Sequence, residues 1–364
     1  MRTVAETEQI AASFFAEQAH FLETVHSLSP QMWESAYNTG ALIGAVTDNQ
    51  ELPSDLRQFA RNCRDEFRAE VGVNQYRFAT ATGTGAMHQD WKGKLCLAHL
   101  PAMRMDRMSY REAQLTGDCV AVAMRSMRDK ARIFDIAERD LPYDYVKRSA
   151  TADLYAMRGH TGAGASPSRI ANAATKIGIL LETEITSPDG EVWDFRDYKS
   201  YYKLGMRYGR TGLPTWIYDL NADKGPKQAA ECQTLDEVLT ALWNGCGVGL
   251  GSSMGVSKNG GKDGVAFLSG LSGSWQHEMQ MLFFDDRRKY HRDTLIGWDQ
   301  TWGNWNNITE ADWPDEYGPK PEGAYVLTAT DSMKHVRGGE CHAFSDSIGF
   351  RPRRQATLGA EGLI

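Results

Sequence analysis

Residues 112–127 read EAQLTGDCVAVAMRSM. Cys119 follows a Gly117–Asp118 pair and opens a run with helical spacing. Val120, Ala123, Met124, Met127, Ala131 and Phe134 form one apolar face, with Arg125, Arg128, Asp129 and Arg132 off it. The spacing predicts one long helix beginning near Cys119, with Asp118 suited to its N-cap. A thiol at a helix N-terminus feels the positive end of the macrodipole, which stabilises a thiolate. Cys119 therefore has two readings: a buried apolar filler, the commoner fate of a free cysteine, or a nucleophile.

The rest of the chain separates into a helical part and a strand-rich part. Ile10, Phe14, Phe21, Val25 and Leu28 recur at helical spacing, and Ser29 with Pro30 announces a second helix. The segment LPSDLRQFARNCRDEFRAEVG (52–72) predicts a third, with Leu56, Phe59, Ala60, Cys63, Phe67 and Val71 on one stripe and a stop at Gly72. Cys63 on that stripe reads as core. Beyond the Cys119 helix, Ser166 and Pro167 begin a helix that Gly178 ends, and TLDEVLTALWNG (234–245) reads as another. After Gly245 the period changes to two. GVGLGSSM (247–254), EMQMLFFDD (278–286), DTLIGWDQT (293–301) and GAYVLTATD (323–331) read as strands. Met279, Met281 and Phe283 alternate there with Glu278, Gln280 and Leu282, and DDRRKYHRD (285–293) reads as a solvated hairpin loop. Helices first and strands afterwards predict an α+β fold with segregated halves. The tail RPRRQATLGAEGLI (351–364) reads as loose.

Composition narrows the function classes. The chain has 364 residues, 41% hydrophobic and 24% charged, with a net charge of -7. It is long enough for a sizeable core, and its acidic balance is unsuited to nucleic acid or an anionic membrane. No apolar run approaches the roughly 20 residues of a membrane span. The opening MRTVAETEQIAASFF carries acids and has no apolar signal core, so no secretion signal is expected. Six cysteines, Cys63, Cys96, Cys119, Cys232, Cys246 and Cys341, are spread singly. Without a CxxC pair neither a zinc site nor a disulfide scaffold is expected, and thiols in a reducing compartment fit best. No spacing suggests a metal or an organic cofactor. GAGAS (162–166) lacks the Lys-Ser/Thr ending of a phosphate loop.

A thiolate nucleophile needs an imidazole. Of nine histidines (His20, His26, His88, His99, His160, His277, His291, His335 and His342), only His277, in GSWQHEMQMLFF (273–284), opens a predicted strand. There it could face the helix end across a cleft between the two parts.

The order of these pieces resembles the papain-like cysteine peptidases, the C1 family. QLTGDC (114–119) is similar to the family's glutamine-to-Gly-x-Cys segment at the start of the long helix. GHTGAGASPSRIANAATKIGI (159–179) resembles its Gly-rich loop and second helix, and NGCGVGLGSS (244–253) takes the place of its "GPV" strand. His277 follows at a strand start. DQTWGNW (299–305) looks like the Asn-Ser-Trp-Gly segment, and GGECHAFSDSIGF (338–350) the closing strand. The resemblance covers residues 105 to 350 and implies a two-lobed fold, a helical lobe beside an antiparallel β lobe. It implies a thiol protease, a hydrolase in which Cys119 attacks a carbonyl carbon and His277 shuttles the proton. Gln114 and the Cys119 N–H would bind the oxyanion. Gln300 would orient the imidazole, with Asp299 beside it as a substitute, and Trp302 would shield that hydrogen bond. An extended peptide or protein substrate would lie in the cleft.

The departures are specific. Gln300 replaces an asparagine, the interval from Gln114 to Cys119 is one residue short, and Val120 replaces an aromatic residue. Thr116 stands where the family has a cysteine. These substitutions support a second reading, a decayed site on a structural or interaction protein such as a phage virion component. The domains expected are residues 1–100, a helical region that is propeptide-like or serves docking to a protein assembly; 101–230, the helical lobe; 231–350, the β lobe; and 351–364, the tail. The expected location is the cytoplasm or a virion. Trp298, Trp302 and Trp305 read as packing at a domain seam.

Overall fold

A helix stripe repeats every three to four residues and a strand face every two, and both patterns find partners here. The computed structural model describes residues 45, 54–70, 78, 90–104, 114–139, 147–300, 305–346 and 350. The helices expected around residues 10–28 and after Ser29, and the tail 351–364, lie outside the described residues. In chain order come helix α1 (Ser54–Glu70), strand β1 (Leu95–Cys96), α2 (Leu100–Arg104), α3 (Cys119–Glu138), α4 (Ala152–Ala156) and α5 (Pro167–Lys176). A small hairpin follows, β2 (Glu184–Thr186) and β3 (Val192–Asp194), then α6 (Tyr198–Arg207), α7 (Thr215–Asn221), β4 (Gln228–Glu231) and α8 (Leu235–Trp243). The remainder holds β5 (Gly247–Val256), β6 (Leu271–Asp285), β7 (Leu295–Gln300), β8 (Ala324–Thr328), α9 (Ala329–Gly338) and β9 (Glu340–Ser345).

The fold is α+β. Seven strands make one antiparallel sheet in the order β4-β9-β5-β6-β7-β8, with β1 pairing the far end of β6. Two apolar cores flank its two sides. Val248, Leu250, Met279, Met281, Trp298 and Tyr325 pack with Val238 and Leu242 of α8 in one. Met124 and Met127 of α3 pack with Ile170 and Ala174 of α5 and Tyr155 of α4 in the other. Trp298 is buried and its indole N–H donates to Ser332, while the Trp305 N–H donates to Gly323 O; both pack in the one core that holds Met279 and Tyr325, whereas a seam between domains was expected.

Local chemistry accounts for the helix ends. Ser166 Oγ accepts the Arg169 N–H and Pro167 fills the first turn of α5. Gly178, at φ 99°, ends it where Asn221 O leaves no room for a side chain. Thr234 and Glu237 close a capping box on α8. At GAYVLTATD the strand stops early: Thr328 Oγ1 accepts the Asp331 N–H, so Ala329 begins α9 instead of continuing β8.

The largest correction concerns α3. Its charged residues were expected on a polar face, yet Arg125, Arg128, Asp129 and Lys130 are buried with the rest. The helix is wedged between the sheet and the other helices, and of the four residues expected off its apolar face Arg132 alone is part-exposed. The charges survive by pairing. Arg125 bonds Glu182, Asp129 accepts both the N–H and the hydroxyl of Ser149, and Lys130 donates to Met281 O.

Candidate active site

Cys119 opens α3 where expected, with the Val122 N–H bonded to Asp118 O. Asp118 holds the N-cap position, but its carboxyl makes no cap bond; it accepts the Tyr198 hydroxyl at 2.8 Å. The Cys119 sulfur is fully buried and accepts the Glu278 backbone N–H at 3.2 Å. The helix start thus docks on β6 one residue past His277, where the two cores approach each other.

His277 is fully buried on β6 and pairs in register with Ser252 of β5. Successive strand residues point to opposite sides. Glu278 projects toward α3, where its Oε1 and Met127 Sδ crowd the space a Gly249 side chain would take. The His277 ring packs edge-on against Trp275, centroids 5.7 Å apart. Across the ladder Ser252 Oγ bonds His335 Nδ1 at 2.8 Å, so an α9 histidine backs that side of the sheet.

Burial dominates the electrostatics. It pushes the Cys119 thiol well above its ordinary range; the Glu278 N–H opposes the shift, and the charges of Glu278 and Asp118 add to it. It pulls the His277 imidazole down to about 3 and pushes Asp118 up to about 7, against the Tyr198 hydrogen bond. Glu278 rises well above the carboxylate range, and neither of its carboxyl oxygens has a hydrogen-bond partner. The expectation that the helix end lowers the Cys119 pKa is thus reversed. The dipole acts at the helix terminus, and full desolvation outweighs it.

The other expected residues are placed as follows. The Gln114 side chain donates to Thr116 O within its own loop. Asp299 is fully buried, opposite Gln280 in the β6–β7 register; it accepts that residue's side-chain N–H at 3.2 Å, and burial raises it well above its ordinary range. Gln300 ends β7 opposite Met279, and Trp302 lies outside the described residues. Among the described residues no His, Cys, Asp or Glu side chains gather as a metal site, and no helix is long and apolar enough to cross a membrane.

A second polar group was not anticipated. Ser168 Oγ lies 2.7 Å from Glu340 Oε2 and 3.2 Å from His342 Nε2, all buried between α5 and β9. Beside them Arg64 and Arg68 of α1 both bond Glu231, and Phe67 packs edge-on against His342 at 5.1 Å. The polar–apolar alternation of β6 was legible. What the residues alone did not signal was that helices cover the polar side of the sheet.

No family model matches the chain, and no curated protein does. Solved structures that it resembles include xylellain, a cysteine protease from Xylella fastidiosa, at 13% identity over 66% of this chain and 84% of that one, TM-score 0.42. Another is a digestive procathepsin L 3 of Tenebrio molitor larval midgut, at 11% identity over 93% and 92%, TM-score 0.41. A third is a procathepsin B from Trypanosoma congolense, at 10% identity over 68% and 76%, TM-score 0.39. Likeness at these scores carries no weight for the chemistry of the site.

Proposed function

We propose that this chain is a papain-like thiol hydrolase that cleaves peptide or amide bonds with Cys119 as nucleophile. The observation that carries the reading is the docking of the Cys119 sulfur, at the N-terminus of a long helix, onto the strand residue next to His277. At rest the His277 ring lies on the side of β6 opposite Glu278 and α3; in the working form it swings to the sulfur and takes the thiol proton, the thiolate attacks the carbonyl carbon, and the imidazolium returns the proton to the leaving amine. The Cys119 N–H and the Gln114 amide bind the oxyanion; Gln300 orients the imidazole and Trp302 shields it, Asp299 being turned to the Gln280 side of the sheet, away from His277. An extended peptide occupies the seam between the two cores. Because the thiol, the imidazole and the neighbouring carboxyls are neutral and buried, turnover requires an opening that admits water and substrate.

The same burial favours a second reading, an interaction protein in which Cys119 is a structural thiol. Iodoacetamide labelling at pH 6, followed cysteine by cysteine and alongside turnover of fluorogenic peptide amides, separates the two. The hydrolase reading expects Cys119 to react at least tenfold faster than Cys63, Cys96, Cys232, Cys246 and Cys341, and His277→Ala to remove that advantage. Equal rates together with absent turnover would leave the second reading standing.

A further inference from the structure

Away from the Cys119 site, two cysteines face each other across the end of the sheet. Cys232 follows β4, the edge strand, and Cys341 is the second residue of β9. Glu231 pairs with His342 in register, which sets Cys232 opposite Cys341, and the Cys232 N–H donates to Cys341 O at 2.8 Å. Both side chains enter the β-lobe core together with Ala230 and Ala343. Cys246, at the entrance to β5, lies in the same core. None of the three is in a disulfide. Directly opposed residues of an antiparallel pair have Cα atoms about 4.5–5.5 Å apart, inside the roughly 4.4–6.8 Å that a disulfide spans.

We propose that Cys232 and Cys341 are a redox-modifiable pair, closing a cross-strand disulfide that staples β4 to β9 by exchange with a small-molecule disulfide. One cysteine, as thiolate, attacks a sulfur of the small disulfide; that S–S bond breaks and the first small thiol leaves. The second cysteine, as thiolate, attacks the protein-bound sulfur of the mixed disulfide and expels the second small thiol. The two protein thiols are oxidised, one small disulfide is reduced to two thiols, and the protons lost by the cysteines end on those thiols. Access comes through the edge. Among the described residues β4 has a sheet partner on one side alone, and edge elements open locally at far lower cost than the whole fold. Burial holds the Cys232 thiol well above its ordinary range, which makes the exchange slow without changing its end point.

The test uses the full chain incubated with oxidised glutathione at pH 8. Glutamyl endopeptidase cuts after Glu231, Glu237 and Glu340, so the three cysteines fall on separate peptides. The expected result is a link between CQTLDE (232–237) and the peptide beginning at Cys341, a loss of two hydrogens from the intact mass, and reversal by dithiothreitol. The Cys246→Ser variant forms the same link. Because the bond closes a long loop, the unfolding equilibrium constant should fall on the order of a hundredfold. A link involving Cys246, a glutathione adduct that never resolves, or full retention of thiols over days in the native protein would each overturn the proposal.

Discussion

Asp118→Asn tests the electrostatics of the helix start. Burial raises the Asp118 carboxyl from 3.8 to about 7, the Tyr198 hydroxyl opposing the shift. An acid whose folded pKa is raised contributes stability below its unfolded pKa, and that stability is lost as pH climbs to the folded value. The window therefore runs from about pH 4 to pH 7, and the ceiling is about 4 kcal/mol at 1.36 kcal/mol per unit. Asparagine keeps the volume and an acceptor for Tyr198 but never ionises. Its amide N–H₂ would sit where Oδ1 now has no partner, a cost of about 1–3 kcal/mol that does not vary with pH. Urea unfolding of both proteins at half-unit steps from pH 4 to 8 isolates the pH-dependent part, since Asp153 and Glu340 titrate alike in both. The wild type should lose ground to the variant by about 1.4 kcal/mol per pH unit and level off above pH 7. Parallel stability profiles would refute the reasoning, because they would mean that Asp118 titrates alike in the folded and unfolded chains.

Gly247→Ala should destabilise by about 2–3 kcal/mol, since a methyl group there meets the Met127 carbonyl where α3 lies on β5; a wild-type urea midpoint would mean that the helix shifts freely. Glu231→Gln should cost about 1–2 kcal/mol at pH 7 by releasing Arg64 and Arg68, both part-exposed and so partly re-solvated. Burial works to raise the Glu231 carboxyl, yet the two arginines and His342 hold it below its ordinary 4.5. The stability it contributes is present above that value and is lost as pH falls further, so the difference from the glutamine variant should shrink below about pH 4; a difference unchanged down to pH 3 would contradict the clamp.

Where local rules and burial agreed, the residues alone were enough. The helices at Cys119, Pro167 and Leu235 combine a clear apolar stripe with a cap or a stop, and each begins at or within a residue of the expected position. The strand period across Met279 and Met281 holds until the β6–β7 register shifts between Met281 and Phe283. Less was legible between Thr183 and Asn221. Hairpin β2–β3 and helices α6 and α7 are rich in polar and aromatic residues, and α6 buries only Tyr198, Tyr201 and Gly205, a face too narrow to set a period. At the site the pattern located Cys119 and the strand of His277. It could not reveal Glu278 as the residue whose N–H bonds the sulfur, because alternation says which residues share a side and not what covers that side.

The polar side of the sheet gives the covered seam its thermodynamic character. Glu278, Gln280 and Asp299 of β6 and β7, with Glu340 and His342 of β9, have the alternation of a sheet whose second side is solvated. Here that side lies under α3 and α5, and burial raises the Glu278, Asp299 and Glu340 carboxyls out of their ordinary range. Apolar side chains of similar shape would be neutral or stabilising in such a place, so fold stability alone does not account for the acids. Any movement that admits water between α3 and the sheet lets these carboxyls ionise at neutral pH. Linkage then weights the opened form by each proton released, and that weighting disappears in acid, where the carboxyls stay protonated in both forms. The burial that holds the Cys119 thiol neutral at rest therefore also stores, in these protonated acids, a drive that makes the seam easier to open near neutrality, and the proposed hydrolysis at Cys119 would need such an opening before a substrate could enter.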